Sequence, residues 1–160
     1  MTKQISGKWI PYLLFLLLAA AFLLLSDESR TPITVSGKNM KKQAGDVDND
    51  AVIINGDSGF SGTMLTSSGY LLDGGSYRIG VTYQTDSPGE ALVIYDNGTP
   101  VSVSYLNPSL TYEEFPVTLE HSSLDFQFAF VYSGSGSLRI ESASLITEGQ
   151  FYHDTAFLIV

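Results

Sequence analysis

Cysteine is absent from all 160 residues. That excludes a disulfide-stapled scaffold, a thiolate zinc centre, a cysteine nucleophile and a lipobox-type acylation site, so the folded part must hold together on its core. Basic residues are scarce beyond the N-terminal quarter. Residues 43–160 carry only Arg78 and Arg139 against fifteen carboxylates, a balance of −13, whereas residues 1–42 carry six Lys/Arg against Asp27 and Glu28, a balance of +4. A body this acidic, with no basic stripe interleaved with aromatics, repels phosphate backbones, which excludes nucleic acid as a partner and favours cations among small ones. No stretch after residue 25 has the spacing of an amphipathic helix, and the single tryptophan is Trp9. A chain of this length holds about one domain.

Charge is missing altogether from Trp9 to Leu25. Seventeen apolar residues at 1.5 Å per helical residue are just enough to cross a hydrocarbon core of roughly 30 Å. Trp9 and Tyr12 sit where interfacial aromatics belong, Lys8 can snorkel, and Pro11 falls in the first turn, where its missing N–H matters least. A cleaved secretory signal is the competing reading, since Lys3 and Lys8 form a basic n-region. Its Ala19–Ala21 cleavage match leaves Phe-Leu-Leu-Leu at the new N-terminus, and Leu24 stands where the Ser26 boundary needs a small residue, so an uncleaved anchor is preferred. The expected organisation is a cytoplasmic N-terminus at 1–8, a transmembrane helix at 9–25, a polar linker at 26–50 and an extracytoplasmic β-domain at 51–150. Residues 151–160 end on Phe157-Leu-Ile-Val160 and read as the start of a second membrane segment or as an edge strand.

Within the exported part, apolar residues alternate with a period of two. Tyr77, Ile79, Val81 and Tyr83 share one strand face, and Phe115, Val117 and Leu119 another. Leu124, Phe126, Phe128 and Phe130 give the clearest inward face, which predicts a central strand. Residues 91–95 and 100–106 flank Asn97-Gly98, a hairpin signal. Leu138 and Ile140 face inward before the pattern slips to Ala143 and Leu145, which predicts a bulge near Ser142. Val52–Ile54 and Tyr70–Leu72 are weaker strand candidates. Seven or eight short strands without a helix predict an all-β, antiparallel, jelly-roll-like β-sandwich.

The run Leu72-Asp-Gly-Gly-Ser-Tyr-Arg-Ile-Gly-Val-Thr-Tyr-Gln-Thr-Asp86 resembles the leucine, glycine and tyrosine strand of galactose-binding-like and carbohydrate-binding-module jelly rolls. Gly136-Ser-Leu-Arg-Ile-Glu-Ser-Ala-Ser-Leu145 is similar to their closing strand. The resemblance covers about residues 68–147 and rests on structural positions, so it implies a fold before it implies a ligand. Many such modules bind glycans. This chain departs from their pattern in having no tryptophan outside the 9–25 run, which leaves tyrosine as the ring for stacking.

Few residues carry chemistry. Asp46, Asp48, Asp50 and Asp57 have some of the oxygen-ligand spacing of a calcium loop, but Ala51 stands where its turn needs glycine, so a solvated acidic segment is the simpler reading and structural calcium the alternative. His121 and His153 have no partner at metal spacing. Glu113 and Glu114 are adjacent on a strand and so face opposite ways, which prevents them from flanking one bond. No nucleophile elbow or phosphate loop is present. Tyr95, Tyr105 and Tyr112 are the candidate ligand-stacking residues. The expectation is a non-catalytic, membrane-anchored extracytoplasmic module of a bacterial-type cell surface, contacting glycan or cell-envelope polymer. The alternative is an accessory domain of a larger polytopic, glycosyltransferase-like membrane protein.

Overall fold

The computed structural model describes residue 15 and residues 32–148. Residues 1–8, the 9–25 run apart from Phe15, the segment 26–31 and residues 149–160 lie outside the described part. Twelve strands are present in it: β1 Ile33–Ser36, β2 Lys41–Lys42, β3 Asp46–Asp48, β4 Ala51–Asn55, β5 Gly62–Thr66, β6 Tyr70–Leu72, β7 Gly75–Thr85, β8 Ala91–Asp96, β9 Thr99–Tyr105, β10 Tyr112–Leu119, β11 Ser123–Tyr132 and β12 Ser137–Glu148. Single 3₁₀ turns at Gly37–Asn39 and Gly56–Ser58 link some of them. Every pairing is antiparallel. One sheet runs β10-β7-β12-β4-β3, with β1 also on β12, and the other runs β2-β5-β11-β8-β9, with β6 also on β11. The two form an all-β sandwich.

Its core is the set of inward positions that the alternation marks. Tyr77, Ile79, Val81 and Tyr83 of β7 are buried, as are Phe115, Val117 and Leu119 of β10, which pairs with it. From the opposite sheet come Phe126, Phe128, Phe130 and Tyr132, all fully buried on the central strand β11. Phe128 and Phe130 meet edge to face with ring centroids 6.2 Å apart, and Tyr70 stacks on Phe128 at 6.1 Å. The β8–β9 hairpin turns at Asn97 (φ 48°) and Gly98 (φ 80°), the left-handed pair such a two-residue turn requires. The register of β12 on β7 shifts between Ile140 and Ser142, so Leu138 and Ile140 before the bulge and Ala143 and Leu145 after it all face the core.

Two expectations are corrected. The stretch 26–50 is not a linker throughout, because Ile33–Ser36 pairs with Leu145–Ser142 in register, Lys41–Lys42 pairs with β5, and Met40 is buried in the core. The sandwich therefore begins at Ile33. Leu124 does not face inward but is 76% exposed. The start of β11 is irregular between Ser123 and Phe126, where the backbone N–H groups of both Leu124 and Asp125 donate to Asn97 Oδ1, at 3.1 and 3.2 Å. Two successive amides pointing at one acceptor break the alternation, and Ser123 turns inward in place of Leu124. A shift in the β5–β11 register skips Met64, which lets adjacent Met64 and Leu65 both enter the core.

The packing makes opposite predictions for two residues of one strand. Phe128→Ala should lower the unfolding free energy of residues 32–160 by about 3–5 kcal/mol, and Leu124→Ala by no more than about 0.5 kcal/mol. Urea denaturation checks this; similar losses would place Leu124 in the core after all.

Candidate functional site

Burial of Phe126, Phe128, Phe130 and Tyr132 on β11 sends Gln127, Ala129 and Val131 to the opposite face of that sheet. Their cross-strand neighbours on β8 are Tyr95, Val93 and Ala91, and Ala129 pairs on its other side with Thr66 of β5, itself paired with Lys41 of β2. The polar half of this outer face is hollow. A concavity of about 600 Å³ lies there, its lining including Lys41, Gln43, Thr66, Ser68, Tyr95 and Gln127 together with Gly69 and Gly98.

Local bonds hold its walls. Where β5 ends, Ser67 stitches the chain to β11: its N–H donates to Phe128 O at 2.8 Å and its hydroxyl accepts from Phe128 N at 3.0 Å. The same hydroxyl donates to Ser68 O at 2.9 Å, which fixes the turn that follows. A Cβ on Gly69 would run into the Asp125 carboxylate, and that carboxylate accepts the Gln127 amide at 2.9 Å. Glycine at 69 is therefore part of what orients Gln127. Lys41 makes no ion pair with any described residue, and no carboxylate lines the concavity. The result is an open, acid-free trough of hydroxyls and amides with one tyrosine ring and one ammonium, which suits a polyhydroxylated ligand.

The predicted tyrosines do not form one platform. Tyr95 lines the trough. Tyr105 is on the same face but pairs with Ala91, at the other end of the strands, on edge strand β9. The connection after β9 then carries the chain to the other sheet, where Tyr112 lies over Gly80 and donates to Glu114 Oε1 at 2.7 Å. Gln127, Thr66 and Ser68 were missed by the sequence reading. The alternation of β11 held the signal for Gln127, but the stitch at Ser67 has no sequence signature.

The calcium expectation meets a different geometry. Asp48 pairs with Arg139, Asp50 with Lys38 at 2.5 Å, and Asp46 and Asp57 line a separate concavity of about 500 Å³ between β3 and the β4–β5 turn. Among the described residues no group of three or more His, Cys, Asp or Glu is placed to hold a metal ion. Two of the four aspartates are committed to cationic side chains instead, so the set does not fit a calcium loop. Glu113 and Glu114 diverge as expected: Tyr83 donates to Glu113 at 2.9 Å, and Glu114 pairs with Arg78 at 2.8 Å. Burial and the bond to Glu113 push the Tyr83 phenol up to about 12.

Among the described residues one carboxylate is fully buried. Glu90 accepts from Ser133 N at 2.9 Å and from Ser133 Oγ at 2.7 Å, tying the β7–β8 loop to the β11–β12 loop. Beside it, Asp86 accepts Ser137 N at 2.5 Å. Burial holds the Glu90 carboxyl above its usual value, while the Ser137 amide holds Asp86 below its own.

No protein-family model and no curated protein matches the chain. Solved structures similar to it include part of the family GH115 4-O-methyl-α-glucuronidase BtGH115A, with specificity for decorated arabinogalactans, at a TM-score of 0.51 and 12% identity over 76% of this chain and 18% of that one. The C-terminal CBM6 of LamC, a marine laminarinase from Zobellia galactanivorans, aligns at 0.49 and 15% identity over 73% of this chain and all of that one. A carbohydrate-binding module CBM36 in complex with calcium and xylotriose aligns at 0.48 and 14% identity over 70% and 98%. This chain spans less than a fifth of the glucuronidase. At such identities the likeness is one of fold, the β-sandwich that the strand motifs of β7 and β12 resemble.

The Glu90 clasp has a pH signature. A raised carboxyl means that folding favours its protonated form, so that contribution is complete below the ordinary value of 4.5 and is lost as pH rises through the raised one. Asp86 acts oppositely: its contribution is present above 3.8 and lost as pH falls through the lowered value. Glu90→Gln removes only the first. Between about pH 4 and 7 the stability difference should move steadily in favour of the variant; a difference in urea midpoints that does not change with pH contradicts the assignment.

Proposed function

We propose that the protein is a membrane-anchored, extracytoplasmic recognition module without catalytic machinery, and that it holds an uncharged glycan in the trough on the outer face of the β2-β5-β11-β8-β9 sheet. The observation that carries this reading is the trough itself. On a chain of net charge −9 it is an acid-free hollow whose wall offers Thr66, Ser68, Gln43 and Gln127 to hydroxyl groups and Tyr95 to a sugar face. Polyanions are disfavoured by the surrounding carboxylates, and a neutral polysaccharide is not. A sugar stacked on Tyr95 would gain most from the ring, with the polar side chains fixing orientation. The apolar run at 9–25 supports the anchor, as its length and flanking aromatics suit an uncleaved membrane helix.

A second reading keeps the fold and changes the context. β1 enters and β12 leaves at the same end of the sandwich, since Ile33 pairs with Leu145, three residues before the end of β12. Neighbouring ends suit a domain inserted between segments of a larger membrane protein.

Residues 32–160, which include the compact unit that starts at Pro32, should bind at least one uncharged polysaccharide in a panel assayed by affinity electrophoresis. Tyr95→Ala should weaken that binding about tenfold, the equivalent of about 1.4 kcal/mol, while Tyr112→Ala on the other sheet leaves it unchanged. No binding across the panel, or equal losses from both substitutions, contradicts the proposal.

A further inference from the structure

A strand at the edge of a sheet turns a row of unpaired N–H and C=O groups outward, and natural sandwiches blunt such edges. Among the described strands most edges are blunted. β1, β2, β3 and β6 are only two to four residues long, and β2 and β3 also carry Lys41, Lys42, Asp46 and Asp48. The longer edge strand β10 holds Glu113 and Glu114. Tyr83 N–H donates to Thr111 O just before β10 begins, in register with the Tyr112–Thr82 pair. By the alternation of an antiparallel ladder, the backbone of Glu114 and Pro116 then points away from β7, and Pro116 has no N–H to offer there.

β9 is the exception. Its seven residues, Thr99-Pro-Val-Ser-Val-Ser-Tyr105, carry no charge, and it stands last in its sheet. Leu106 N–H donates to Glu90 O at 2.8 Å, so in the same ladder Ser104 and Ser102 exchange bonds with Leu92 and Ile94 of β8. The N–H and C=O groups of Val103 and Tyr105 therefore face the free edge, where no described element pairs with them. Their side chains share the outer face of the sheet with Val93 and Ala91, and are 58% and 68% exposed. What such an edge accepts is another strand, and charge selects which one. Residues 43–160 carry a balance of −13, so an acidic strand is repelled and a basic one is drawn to the carboxylates of β3 and β10. A second copy brings an equally uncharged β9. Antiparallel pairing about a twofold at Ser104 sets Val103 of each copy opposite Tyr105 of the other, apolar on apolar, and gives the outward backbone groups of both residues their partners.

We propose that the chain self-associates through this edge, β9 pairing with β9 of a second copy so that two β2-β5-β11-β8-β9 sheets join edge to edge. The twofold axis of an antiparallel strand pair is perpendicular to the sheet, so the outer faces stay on one side and the two troughs open in the same direction. The pairing does not depend on what the trough holds. On the glycan reading it lets one polymer engage both sites, with the gain in avidity of a linked pair.

The absence of native cysteine makes single-cysteine cross-linking unambiguous. Residues facing each other across a twofold in such a pair have Cα atoms about 4.5 Å apart, within the range a disulfide spans. The full chain in detergent micelles, carrying either Ser104→Cys or Val47→Cys, is exposed to a mild oxidant; Val47 lies on the short acidic edge strand β3 and is itself exposed. Ser104→Cys should form at least about tenfold more disulfide-linked dimer than Val47→Cys. Val103→Pro, which places on β9 the device that Pro116 supplies on β10, should bring the Ser104→Cys yield down to the Val47→Cys level. Val103→Lys, whose side chain enters solvent in a single copy, should do the same with the urea midpoint unchanged, and it decides the matter if proline unsettles the strand. Equal yields at positions 104 and 47, no dimer at 104, or a yield that survives Val103→Lys overturns the proposal.

Discussion

The burial of one face of β11 decides most of what this protein presents to solvent. Phe126, Phe128, Phe130 and Tyr132 are fully enclosed between the sheets. Removing one such ring would cost about 3–5 kcal/mol, a large share of the stability of a domain this size. Because a strand alternates, that commitment also fixes Gln127, Ala129 and Val131 on the reverse side. The same parity places Tyr95 beside Gln127 and Thr66 beside Ala129. The trough is therefore the back of the core, and its floor cannot slip by one residue without expelling three phenylalanines into water.

Much of this architecture is legible in the order of residues. Alternation locates β7, β10 and the main part of β11, Asn97-Gly98 locates the tightest hairpin, and the slip after Ile140 locates the β12 bulge. What cannot be read has a common physical source, namely pairings between distant segments. Lys41–Lys42 has no strand signature and is ordered only by pairing with β5. Ile33–Ser36 is too short to argue for itself, and it gains its place from β12, more than a hundred residues away. Leu124 follows the alternation in sequence and leaves it in space, because Asn97 captures two successive amides.

The site follows the same division. Tyr95 is identifiable as an outward ring, but its neighbours Thr66, Ser68 and Gln43 come from strands and turns whose adjacency depends on the Ser67 stitch to Phe128. Tyr105 and Tyr112 share a residue type and not a location, since the chain changes sheets between them. The aspartate run from 46 to 50 forms part of a hairpin that meets cations from other elements: Arg139 reaches Asp48, and Lys38 reaches Asp50. Residue spacing alone does not reveal that these carboxylates already have partners.

The central claim, that the ligand lies on the reverse of the β11 core face, is most directly tested by nuclear magnetic resonance. An uncharged oligosaccharide is titrated into isotope-labelled residues 32–160 and the shifts are mapped onto the sandwich. The account predicts changes concentrated at Gln127, Tyr95, Thr66 and Ser68, with the 86–90 and 133–137 loops and the outer face of the β10-β7-β12 sheet unmoved. Shifts centred on those loops, or on Tyr112 and Arg78, would contradict it.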